Sequence, residues 1–189
     1  MSKVKFGLKN AHFAKITYSS GGSATYGTPV AMPGSVNLSL SPKGDATEFY
    51  ADDGLYFTGS VNMGYSGTLE MALIPDSFKT EILGDVLDNT TKTLIENASA
   101  KPAHFALLFE VDTDVKARRV VMYDCVATRS AVGSQTKTQS TNPVTETLNL
   151  VCVPRADGIV KLQSTDTTPP ATYDAWYDAV IVPGTVVTT

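Results

Sequence analysis

Alternation of apolar and polar residues with a period of two, repeated in run after run, is what most restricts how this chain can fold. In Val36-Asn37-Leu38-Ser39-Leu40-Ser41 it sets Val36, Leu38 and Leu40 on one face, because successive side chains of a strand point to opposite sides. From Tyr65 to Ile74, the residues Tyr65, Gly67, Leu69, Met71 and Leu73 share one face, and Ser66, Thr68 and Glu70 the other. Thr145 to Val153 aligns Leu148, Leu150 and Cys152. Phe105 to Val111 is apolar on both faces, the pattern of a central strand covered on two sides. It runs through the turn-rich Asp112-Thr113-Asp114 into Arg119 to Ala127, which predicts a hairpin. Shorter strands are expected at Phe13–Tyr18, Glu48–Ala51, Leu55–Ser60 and Ile159–Leu162.

Helical periodicity is scarce. After Pro75, Asp76 is placed to cap a helix over 76–88, with Phe78, Ile82 and Val86 at i, i+4 and i+8. Gly84 weakens that helix and Asn89 ends it. After Pro169-Pro170, the stripe Tyr173, Trp176, Tyr177 and Val180 predicts a short helix that docks the only Trp on the sheet. The expected fold is mainly β (α+β at the margin), a β-sandwich or barrel with one flanking helix. The 189 residues, 42% of them hydrophobic and 18% charged, suit a single domain over 1–189 and not a disordered chain. Residues 1–12 are expected to form an N-terminal arm, and 165–189 a C-terminal segment.

Some stretches do not read as core. Ser19 to Ala24 is a flexible loop, Ser130 to Pro143 a polar tract rich in Ser, Thr and Gln, and Val182 to Thr189 a tail. Segment 41–59 combines Pro42, Gly44, Gly54 and Gly59 with Phe49, Tyr50, Leu55, Tyr56 and Phe57. Turn residues beside five large apolar ones predict a long projecting hairpin. Its aromatics need burial, which a partner subunit would supply; a loop facing the core of its own chain is the alternative.

Little in the sequence carries chemistry. His12 and His104 stand far apart among apolar neighbours, without the cluster of ligands a metal requires. Gly64-Tyr65-Ser66-Gly67 misses the nucleophile motif G-x-S-x-G by one residue. Ser134-Gln135-Thr136-Lys137 matches S-x-x-K without helical periodicity to bring Ser and Lys together. Asp52-Asp53-Gly54 and Asp112-Thr113-Asp114 read as turns and not as calcium loops, and no phosphate-binding or dinucleotide fingerprint occurs. The sequons at Asn37, Asn89 and Asn97 read as chance matches. Cys125 and Cys152 are expected as buried, reduced thiols, with a single disulfide as the alternative. The chain is thus read as having no catalytic, metal or cofactor site. Its net charge of −4, with Lys and Arg scattered apart from Lys116, Arg118 and Arg119, does not call for tight binding to phosphate backbones. Met1 to Phe6 lacks the apolar stretch expected of a signal peptide. No apolar run approaches the roughly 20 residues of a membrane helix, so no membrane partner is expected.

Read end to end, the chain resembles the major tail proteins, or tail tube proteins, of long-tailed phages and prophages of Gram-positive bacteria. The likeness rests on phrases in order: Phe6-Gly7-Leu8-Lys9-Asn10-Ala11-His12, Pro29-Val30-Ala31-Met32-Pro33-Gly34, Tyr50-Ala51-Asp52-Asp53-Gly54, Gly64 to Glu70, His104 to Phe109, and Pro154-Arg155-Ala156-Asp157-Gly158. The resemblance implies a β-sandwich with a flanking helix that assembles into hexameric rings. The rings stack into a hollow tube around a tape-measure protein, between tail terminator and distal tail proteins, and DNA later passes through. It implies a place in the virion tail, with assembly in the host cytoplasm. In such tubes a long loop between early strands and terminal arms bridge subunits, so Phe49, Tyr50, Asp52, Asp53, Leu55 and Tyr56 become interface candidates, with Phe6 and Leu8 behind them. The immunoglobulin-like domain that some relatives append is not expected. Six negatively charged copies would repel phosphates and let DNA slide, and the polar-face residues Glu70, Asn37 and Ser39 are the candidates to face the lumen.

Rival readings are another virion structural role (a tail terminator or a capsid decoration protein), then a carbohydrate-binding β-sandwich, and last an enzyme.

Overall fold

The computed structural model describes residues 2–20, 23–136 and 143–184. Outside these lie Gly21 and Gly22 of the expected loop, 137–142 of the polar tract (with Lys137 of the S-x-x-K match), and 185–189 of the tail. The strands are β1 (Lys5–Tyr18), β2 (Ala24–Tyr26), β3 (Val30–Ala31), β4 (Ser35–Pro42), β5 (Ala46–Ala51), β6 (Gly54–Ser60), β7 (Tyr65–Met71), β8 (Val86–Leu87), β9 (Leu94–Ile95), β10 (Phe105–Thr113), β11 (Arg118–Thr128), β12 (Glu146–Cys152) and β13 (Lys161–Gln163).

The main sheet runs β2-β1-β10-β11-β12-β7-β4, with β3 also paired to β1 and β13 to β11. Every pairing is antiparallel. The sheet curls until β1 lies near β4 without pairing to it, which makes a sandwich-like, mainly β body. Phe105, Leu107 and Phe109 point into its main core with Phe13, Met32, Leu69, Met71 and Leu150. Ala106 and Leu108 point the other way, into a second core with Val121, Tyr123, Trp176 and Val180. The doubly apolar pattern of this strand is therefore satisfied on both faces.

The C-terminal stripe folds as α2 (Pro170–Asp174) followed by a single 3-10 turn, Ala175–Tyr177. Trp176 and Val180 are buried, while Tyr173 lies over the Arg119 guanidinium at 3.9 Å. Tyr123 Oη donates to the Ile181 carbonyl at 2.6 Å and ties this segment down.

Several boundaries differ from expectation; β7, for one, ends at Met71, short of Ile74, and leaves Leu73 65% exposed. The helix expected over 76–88 is α1 (Asp76–Phe78), continued by a π-helical turn, Lys79–Leu83. It stops at Gly84, whose φ of 82° is left-handed and so suits glycine. Val86 is then exposed, in a two-residue ladder with β9, and Leu83 takes the buried place expected of it. Asp76 caps no backbone N–H; the N-cap is Pro75. The N-terminal arm of 1–12 is also shorter, because Lys5 onward pairs with β10, as in Phe6↔Asp112 and Leu8↔Val111.

Cys125 and Cys152 are free thiols, buried and opposite each other on β11 and β12, with Sγ atoms 2.6 Å apart. Burial, and then the second thiol, push the Cys125 pKa well up, which disfavours the reactive thiolate. Neither cysteine is expected to react with a thiol-specific chromogenic reagent in the folded protein, and both are expected to react in denaturant. Rapid native labelling would show that β11 and β12 open.

Candidate assembly surfaces

Between β4 and β7 the chain leaves the body through a neck. Lys43 N–H donates to the Gly64 carbonyl and Met63 N–H to the Lys43 carbonyl, each at 2.8 Å. Gly44, at φ 136°, passes so close to the opposite strand that a Cβ would sit 1.7 Å from the Val61 carbonyl oxygen, which only glycine allows. Beyond the neck β5 and β6 pair through Glu48↔Thr58, Phe49↔Phe57 and Tyr50↔Leu55, with a bulge between Phe49 and Tyr50. Asp52 and Asp53 have φ of 51° and 57°, the two-residue turn whose twist matches a hairpin. They are turn residues, as their sequence suggests.

The apolar side chains of this hairpin face solvent and not the core of their own chain. Tyr56 is 74% exposed and Tyr50 63%, and Phe49, Leu55 and Phe57 are each more than half exposed. Phe49 and Tyr56 meet edge to face at 6.4 Å, and Tyr50 Oη donates to Glu48 at 2.8 Å. A lone two-stranded hairpin is marginal in water. Burying each such side chain against a partner would contribute about 1.5–3 kcal/mol.

A second surface is polar. Register places Asn37 beside Glu70 and Ser39 beside Thr68, and beyond them Thr147 beside Glu70 and Asn149 beside Thr68. The three candidates for a lumen thus share one face of β12-β7-β4, mostly hydroxyls and amides, with Glu70 and the exposed Val151 among the described residues there. That carboxylate accepts from Thr145 Oγ1 at 2.5 Å.

A third surface has no local signature in the sequence. The start of β1, β4, Tyr65 at the start of β7, and parts of β10, β11 and β13 surround a cleft of about 550 Å³. Phe6, 58% exposed, and the half-buried Leu8 stand at its wall, so these two secondary candidates are brought together, away from the hairpin. The lining comes from six strands scattered between Lys5 and Gln163, and besides Phe6 and Leu8 it includes Asn37, a lumen candidate, and Arg118 of the basic group.

Elsewhere several titratable side chains hold each other. Asp124 receives Tyr18 Oη at 2.6 Å and faces His104 Nδ1 at 2.6 Å, which links β1 to β11. Burial, then that carboxylate, raise the Tyr18 pKa. Buried Glu110 binds Arg119 Nε at 2.8 Å and Lys9 Nζ at 3.3 Å. His12 stacks on Tyr177 with ring centroids 4.4 Å apart. Among the described residues no three His, Cys, Asp or Glu side chains converge to hold a metal ion, and no helix is long and apolar enough to cross a membrane. Compared with models of known protein families and with curated proteins, the chain matches none.

Proposed function

We propose that this chain is the repeating subunit of a phage tail tube, a structural protein that forms hexameric rings stacked into a conduit for DNA. The observation that carries the reading is the hairpin: a rooted projection whose five large apolar side chains lie in solvent. An exposed apolar cluster of this kind marks an interaction surface, and the sequence resemblance indicates that the partner is another copy. The polar face of β12-β7-β4 supports the same reading. Lined mostly with Ser, Thr and Asn around Glu70, with Val151 beside them, it offers phosphates no cationic row among the described residues. In this reading the tape-measure protein occupies the bore during assembly, terminator and distal tail proteins close the ends, and the subunit reaches the virion tail from the host cytoplasm.

Negative-stain microscopy of the concentrated, purified chain tests this. Rings stacked into tubes of constant diameter are expected. Rings that never stack would favour a tail terminator, and stable trimers a decoration protein. A monodisperse monomer that binds glycans would overturn the proposal in favour of a carbohydrate-binding module.

A further inference from the structure

The hairpin needs an acceptor, and the same chain carries a surface that matches it in polarity and charge. From Gly44 to Ser60 the projection has four carboxylates (Asp45, Glu48, Asp52 and Asp53) and no Lys or Arg. The cleft beside β1 has the opposite character. Leu40, Phe109, Val111 and Met122 make an apolar floor, and Lys5, Arg118 and Lys161 stand around it. No Asp or Glu is among the described residues that line it. Arg118 is only loosely engaged, 3.8 Å from Asp166, and Lys161 rests over the Tyr65 ring at 4.9 Å. At about 550 Å³ the cleft lies within the roughly 300–1,000 Å³ of clefts that enclose ligands.

We infer that this cleft receives the hairpin tip of a second copy of the chain, with the Tyr50, Leu55 and Tyr56 side chains on the apolar floor and the carboxylates of Asp52 and Asp53 against Lys5, Arg118 and Lys161. The inference rests on the subunit reading above and names the surface that reading leaves open. The chain's own hairpin does not fill the cleft, since both of its strands remain exposed. Donor and acceptor are different surfaces of one molecule, so the contact is head to tail. Such a contact either closes a ring or propagates without limit, as growth of a stacked tube demands.

Charge reversal tests the pairing. A cleft variant (Lys5→Glu, Arg118→Glu, Lys161→Glu) and a hairpin variant (Asp52→Lys, Asp53→Lys) are each expected to raise the concentration needed for polymerisation at least 100-fold. Melting curves check that both stay folded. An equimolar mixture is expected to return to within tenfold of the native protein, because each variant's hairpin then meets a cleft of opposite sign. Failure of the mixture with both partners folded, or native-like polymers from the cleft variant alone, would overturn the inference.

A second readout does not need tubes. With a benzophenone amino acid in place of Tyr56, irradiation is expected to join that position to the cleft of another copy, mapped by mass spectrometry. No intermolecular product, or one located elsewhere, would overturn the inference. Tubes with cross-links outside the cleft would leave the subunit reading standing and remove this acceptor. Cross-links within the cleft in dimers that never form rings or tubes would do the reverse.

Discussion

Replacing Tyr50 and Tyr56 together with Ser is expected to leave a folded monomer that no longer polymerises. Both rings are mostly in solvent in the isolated chain, and neither belongs to either core cluster. Their loss should therefore cost the monomer little; exposed substitutions usually fall within about 0.5 kcal/mol. Assembly is another matter. Each ring buried at an interface contributes about 1.5–3 kcal/mol, and each 1.4 kcal/mol or so is tenfold in affinity. Removing both should raise the critical concentration about 100-fold or more, by sedimentation or light scattering, while the melting temperature stays put. Unchanged tubes from the double variant would show that the hairpin is not the assembly contact.

Phe78→Ala is expected to have the largest effect on the monomer itself. The ring lies fully buried between Phe13 and Phe105, edge to face with each at 5.2 Å. With Ile82 and Leu83 it is one of three buried side chains that hold this short helical segment to the sheet. Truncation removes both aromatic contacts and leaves a cavity, at a cost of about 3–5 kcal/mol. In a domain of this size that lowers the melting temperature by roughly 6–20 °C. The comparison with Val86→Ala is informative: Val86 is 58% exposed, and its truncation should be close to silent. Equal losses at the two positions would mean that the helix continues to residue 88 after all.

The contrast between Phe78 and Val86 also shows what the sequence could and could not reveal. Periodicity is a local property, so the period-two runs that became β4, β7 and β12, and the doubly apolar β10, were readable directly. The hairpin tip was readable too, because Asp52-Asp53-Gly54 supplies the left-handed residues its turn needs. A period of four from Phe78 through Ile82 continues on paper to Val86, but Gly84 adopts a left-handed conformation that ends the helix, and periodicity alone does not show this. Register is a non-local property. That Asn37, Glu70 and Thr147 form one row follows from strand pairing between segments far apart in the chain. The cleft lay furthest out of reach, since it exists only once β1 has curled back beside β4. The Tyr18–Asp124–His104 cluster is of the same kind, joining residues separated by 106 and 20 positions.

The backbone clasp at Lys43 and Gly64, together with the tight passage of Gly44, makes the projection a cantilever and not a tether. Its direction is set when the monomer folds, so little orientational entropy remains to be lost on meeting a neighbour. Force applied at its end would pass through this clasp into the hydrogen-bonded ladder of β4 and β7. Copies joined in this way would share bending loads across their sheets, and stiffness of the whole assembly would be inherited from the root of a single loop.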